Sequence, residues 1–127
     1  MNNYSVAFEI PNINQGFAEV KGLLSVYEES ILLEFERKDA VIGVFKSGLK
    51  EARIPYSNLE EMEWKKGFFR SKIILTGKTM RSLSEVPGAE QGRLVMNVKR
   101  KDREDAERVA SRVRLRISEE RLNSMED

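Results

Sequence analysis

With 127 residues the chain has the length of one domain, long enough to hide roughly two-thirds of its unfolded surface in a core. It contains no cysteine and no histidine, which excludes disulfides, thiol nucleophiles, imidazole-ligated zinc and a Ser-His-Asp triad. Charged residues make up 34% and hydrophobic ones 40%, with a net charge of +1, and no apolar run approaches the ~20 residues of a membrane span.

The first segment, "YSVAFEI", alternates with period two, as a half-buried strand does: Tyr4, Val6, Phe8 and Ile10 fall on one face, Ser5, Ala7 and Glu9 on the other. "PNINQG" interrupts the alternation with Pro11 and Gly16. The pattern resumes with Val20, Gly22, Leu24 and Val26, turns at "YEES", and continues through Ile31, Leu33 and Phe35, which predicts a hairpin ending at Lys38 and Asp39. "AVIGVF" is ambiguous between a strand and a buried loop. "EARIPY" places Ala52, Ile54 and Tyr56 on one face, and Pro55, lacking an N–H, belongs at a strand end or an edge.

In "SNLEEMEWKK" the alternation sets Leu59, Glu61 and Glu63 against Met62 and Trp64, and Gly67 permits a turn. "FFRSKIILTG" then aligns Phe69, Ser71, Ile73 and Leu75, so that Trp64 and Phe69 are expected in the core while Phe68 is out of phase with it. "KTMRSL" reads as a further short strand, "SEVPGAEQG" as a loop, and "RLVMNVK" as the last strand with Leu94, Met96 and Val98 inward. At Asp102 the period changes to that of a helix. Asp102 is the expected N-cap, Ala106, Val109, Ala110, Val113 and Ile117 form the apolar stripe, and five arginines from Arg108 to Arg121 supply most of the polar face. Residues 122–127 read as a frayed tail.

About seven antiparallel strands followed by one amphipathic helix that plugs the end of a curved sheet make a restrictive layout. Three segments, "GLLSVYEESILLEF", "RIPYSNLEEMEWKKG" and "VPGAEQGRLVMNVKRKDREDAERV", carry a resemblance to small bacterial pleckstrin-homology-like (PH-like) domains over roughly residues 16–117. The resemblance implies a mainly β barrel or sandwich over 16–121, capped by the C-terminal helix, with 1–15 as an N-terminal extension carrying an extra strand. It also implies a non-catalytic module that binds lipid headgroups, peptides or proteins, often as an oligomer. One departure stands out. PH domains that bind phosphoinositides resemble each other in a basic first hairpin, whereas the equivalent turn here carries Glu28 and Glu29, which repel phosphate.

Two surfaces are candidates for function. Lys65, Lys66, Phe68, Arg70 and Lys72 cluster around Gly67 and could touch an anionic membrane or phospholipid headgroup; the competing reading is a solvated hairpin end whose cations pair with Glu61 and Glu63. Tyr4, Val6, Phe8 and Ile10 of the N-terminal strand could cover their own sheet, or add to a neighbour's edge and make a homo-oligomer, most simply a dimer. The acidic residues Glu34, Glu36 and Asp39 lack the glycine-spaced loop of a calcium site and read as a solvated face. Residues 1–63 carry six Lys/Arg against eleven Asp/Glu and residues 64–127 sixteen against ten, but a compact sheet interleaves the halves.

A single aromatic beside a few cations lacks the repeated stacking platform of a nucleic-acid binder. No catalysis, cofactor or metal is expected. The N-terminus has no cationic start or long apolar block of a secretory signal, so a cytoplasmic location is expected, with peripheral membrane association as the alternative.

Overall fold

The computed structural model describes residues 4–13, 18–39 and 48–125. Among them, seven strands form one antiparallel sheet: β1 (Ser5–Ile13), β2 (Ala18–Val26), β3 (Ser30–Asp39), β4 (Lys50–Pro55), β5 (Leu59–Lys65), β6 (Ser71–Gly77) and β7 (Arg93–Val98). A 3-10 turn, Arg100–Asp102, leads into the helix α1 (Arg103–Met125). The ambiguous run 40–45 lies outside the described residues.

The strand order is β4-β3-β2-β1-β7-β6-β5. Its two edges, β4 and β5, are joined by only the 3-10 turn Tyr56–Asn58. A flat sheet would hold those edges about 29 Å apart, six spacings of ~4.8 Å. A link of this length reaches about half as far. The sheet therefore curls until its edges meet at one end, and the inward face of every strand points into one core. Pro55 sits where its missing N–H costs nothing, at the last position of an edge strand.

β1 lies between β2 and β7, pairing Glu9 with Lys21 on one side and with Asn97 on the other. The expected N-terminal strand is thus the first strand in the chain and a central one in the sheet. The same position decides the fate of its apolar face. Val6, Phe8 and Ile10 are buried in the chain's own core and Tyr4 packs against it half-buried, which is the self-covering arrangement of the two expected for this face.

α1 closes one end of the curled sheet, chiefly against β5, the Tyr56–Asn58 turn and β1. All five residues of its expected stripe, Ala106, Val109, Ala110, Val113 and Ile117, are buried. Arg112 lies over the Tyr4 ring, 4.5 Å from its centroid, and donates to the Tyr4 hydroxyl at 2.7 Å. Asp102 closes the 3-10 turn immediately before Arg103, the first residue of the helix, and the helix continues to Met125, into the expected tail.

The segment 78–92 covers the opposite end, with Leu83 and Val86 buried and Gly88 close against Ile10 and Ile13. "KTMRSL" turns here and does not form a strand. Thr79 and Ser82 bind each other and nearby backbone N–H groups through their hydroxyls, at 3.1–3.2 Å, and so give the backbone an alternative to ladder pairing.

Tyr56 fastens the helix-capped end. Its N–H donates to the Glu29 carbonyl and its hydroxyl to the Tyr27 carbonyl at 2.6 Å. Burial pushes this hydroxyl up to about 12, outweighing Arg116, the hydrogen bond to Tyr27 and Arg112, which pull it down. The folded chain thus favours neutral Tyr56 more than the unfolded chain does, whose tyrosines titrate near ~10. The stabilisation is complete below that pH and is lost as pH rises through the folded value. Tyr56→Phe is therefore expected to cost about 1 kcal/mol at neutral pH, for the lost hydrogen bond. In urea titrations at increasing alkaline pH, the gap between parent and variant is expected to close; a constant gap would contradict the assignment.

Candidate functional site

β5 and β6 are joined by the loop 66–70, the tip of the basic hairpin. Its path needs Gly67, because a Cβ there would collide with the Arg70 carbonyl oxygen. The Gly67 N–H donates to the Ser71 hydroxyl at 3.2 Å, and Ser71 itself is fully buried. From the start of α1, Arg103 reaches back and donates to the carbonyls of Gly67 and Phe68, the latter at 2.7 Å. Two backbone acceptors of the tip are thereby tied to a helix that belongs to the core.

On this fixed loop Phe68 is 75% and Phe69 80% exposed. The rings contact each other edge to face, with centroids 4.6 Å apart, and Arg100 lies 6.0 Å from the Phe68 centroid. The expected core position of Phe69 is corrected here. β6 begins at Ser71, so the alternation that carries Ser71, Ile73 and Leu75 inward does not extend back to Phe69. Trp64 is half-buried and packs against the core, as expected.

The cations are placed in a way that sequence order conceals. Lys65 and Lys72 are cross-strand partners, whereas Glu63 stands opposite Ile74. The expected pairing of the basic tip with Glu61 and Glu63 is absent among the described residues; Lys66 pairs instead with Glu107 of α1, at 4.0 Å. Like charges directly opposite on a sheet are unfavourable by a few tenths of a kcal/mol or more. Next to the tip, the pairing of Ser71 with Val98 brings in the residues that follow β7. Segments 65–72 and 99–103 together hold eight Lys/Arg and one carboxylate, Asp102. Phe69, Lys99, Arg100, Lys101 and Arg103 thus join Lys65, Lys66, Phe68, Arg70 and Lys72 in one region. Of the added cations only Lys99 forms an ion pair among the described residues, with Glu9 at 3.5 Å.

The arrangement suits attraction of an anionic, partly apolar surface. The tip lacks the thiols and imidazoles that most covalent and metal chemistry uses. Among the described residues no group of three acidic side chains is placed to hold a metal ion. No helix among them is long and apolar enough to cross a membrane.

Replacing Arg103 by methionine keeps an unbranched apolar stem and removes the guanidinium that donates to the tip. Amide exchange at 66–70 is expected to accelerate about tenfold, with global stability changed by no more than about 1 kcal/mol. Unchanged exchange would show that the tip is held without Arg103.

Neither a scan against protein-family models nor a search of curated proteins finds a match to this chain.

Proposed function

We propose that the chain is a non-catalytic binding module of PH-like type, and that it docks on anionic membrane surfaces through the hairpin tip 65–72 and the adjoining 99–103. The PH-like assignment draws support from the topology: a four-strand meander, a three-strand meander joined to it through β1 and β7, and a C-terminal helix closing one end. One observation carries the membrane reading, the pair Phe68 and Phe69 standing out from a loop surrounded by cations. An exposed aromatic pair costs little to insert among lipid headgroups, and each Lys or Arg near an anionic surface adds about 1 kcal/mol. Three or four such cations with two rings amount to roughly 5 kcal/mol, a weak and reversible contact with an apparent Kd near ~0.2 mM.

Co-sedimentation tests this. The protein is expected to pellet with vesicles of phosphatidylglycerol and phosphatidylcholine, to ignore pure phosphatidylcholine, and to be released as salt shortens the Debye length from ~10 to ~3 Å. Absence of binding to the anionic vesicles would end the proposal.

Self-association is a second reading, favoured by a different observation. The burial of α1 ends at Ile117, and beyond it Leu122 and Met125 are exposed on the side of exposed Leu115. Light scattering would support this reading if it showed a dimer that Leu122→Lys returns to a monomer. A monomer at high concentration would contradict it.

A further inference from the structure

Beside the tip, on the outer side of β6 and β7, lies an open cleft of about 910 Å³. Its cationic rim consists of Arg70, Lys72 and Arg93, and its polar contributions include Asn97 and Gln91, with Glu90 the single carboxylate. The sheet explains the convergence. Lys72 and Asn97 are cross-strand partners, and Arg93, Val95 and Asn97 alternate onto the same face of β7. Val95 gives the cleft an apolar floor between two cationic ends. Arg70, Lys72 and Arg93 are exposed and form no ion pair with another described residue.

One wall of the cleft is a tight turn with a locally strained backbone. Glu90 and Arg93 exchange two backbone hydrogen bonds, at 2.9 and 3.0 Å, across a two-residue turn. Both turn residues have positive φ, 54° at Gln91 and 78° at Gly92. Asn or Gly is the usual choice at the first of these positions, because other side chains are strained there. Gln91 keeps that strain and places a longer amide at the cleft, a feature that stability alone does not explain.

We infer that this cleft binds a phosphomonoester: three cations to neutralise a dianion, amides to orient its oxygens, and an apolar floor for the carbon atoms that it carries. The cleft has the size of a small-molecule site. The phosphate could belong to a lipid headgroup or to a free metabolite. The inference rests on the membrane-docking reading for the lipid source alone, since Arg93, Asn97 and Gln91 lie outside the tip.

The test uses the full chain and sn-glycerol 3-phosphate, with glycerol as the uncharged control. Saturable amide shifts are expected at 70–72 and 91–97, weakened at least about tenfold by Arg93→Gln, a surface substitution, and unchanged by joint replacement of Phe68 and Phe69 with serine. Non-saturable shifts, or shifts indifferent to Arg93→Gln and to a second variant, Asn97→Leu, would overturn the inference. Vesicles of phosphatidic acid and of phosphatidylglycerol, matched in surface charge, separate the sources. A preference for phosphatidic acid that Arg93→Gln abolishes assigns a lipid headgroup. Equal binding to both lipids, with glycerol phosphate still saturating, assigns a free phosphomonoester. Vesicle binding without a glycerol-phosphate site overturns the inference and leaves membrane docking intact; the converse removes membrane docking and leaves the site.

Discussion

Joint replacement of Phe68 and Phe69 by serine is expected to weaken binding to anionic vesicles about thirtyfold while leaving the folded domain intact. The two rings are 75% and 80% exposed, so they contribute little to the core, and the change in stability should stay within about 0.5 kcal/mol. In the lipid interface the same rings lose water on most of their surface. Full burial of a Phe side chain yields about 1.5–3 kcal/mol, and shallow insertion of two rings a combined ~2 kcal/mol. The residual binding should be electrostatic and should retain its salt dependence, because all eight Lys/Arg of the region remain. Co-sedimentation at low and high salt, beside a thermal melt, checks all three expectations. A double variant that binds as the parent does would move the contact elsewhere; one that unfolds would show that the tip packs against the domain.

The largest effect on stability is expected at Gly22. This residue sits in β2 between cross-strand partners Phe8 on β1 and Phe35 on β3, both buried. A Cβ at Gly22 would lie 2.7 Å from Phe8 Cζ and 2.9 Å from Phe35 Cβ, and closer still to the Glu34 carbonyl oxygen. The Phe8 ring could shift only into neighbours that are themselves buried, and the Glu34 carbonyl belongs to the β3 backbone. Gly22→Ala should thus cost about 3 kcal/mol by overpacking, outweighing the ~0.5–1 kcal/mol that alanine ordinarily gains over glycine in an element interior. At this chain length that corresponds to a fall of roughly 10 °C in Tm. Gly48→Ala is the control, since nothing lies within 4 Å of a Cβ there, and it should leave Tm nearly unchanged. Equal melting of parent and Gly22→Ala would contradict the close packing of β1, β2 and β3.

What the sequence made legible was mostly local. Period-two alternation identified most inward residues of β1 through β4 and those of β7, but not Ile13, which reaches the core beyond a register shift after Ile10, or Ala18; helical spacing identified every buried position of the α1 stripe. Alternation reports a strand's faces but not its neighbours. The central place of β1 depends on pairing Glu9 with Asn97, a contact between distant parts of the chain that no local pattern encodes. Phase is also lost at irregularities. A register shift between Leu59 and Glu61 lets both Leu59 and Met62 face the core, although simple alternation sets them on opposite sides. Phe69 is displaced for a related reason, since the strand ends before its alternation does.

The candidate site was half legible. Lys65, Lys66, Phe68, Arg70 and Lys72 are contiguous enough to be noticed in the sequence. Arg100, Lys101 and Arg103 become their neighbours only through the β6–β7 pairing, and Arg93 reaches the cleft only because β7 presents it on the same face as Asn97. The cation run after the last strand was the available signal, but its meaning depended on which strand lay beside it.

Mapping the contact surface directly is the decisive measurement. Anionic lipid nanodiscs doped with a paramagnetic headgroup should broaden the amide signals of 66–70 most, then those of 99–103. Nanodiscs of phosphatidylcholine should broaden none. Broadening centred on the exposed end of α1 around Leu122 and Met125, or spread evenly over the chain, would contradict docking through the hairpin tip.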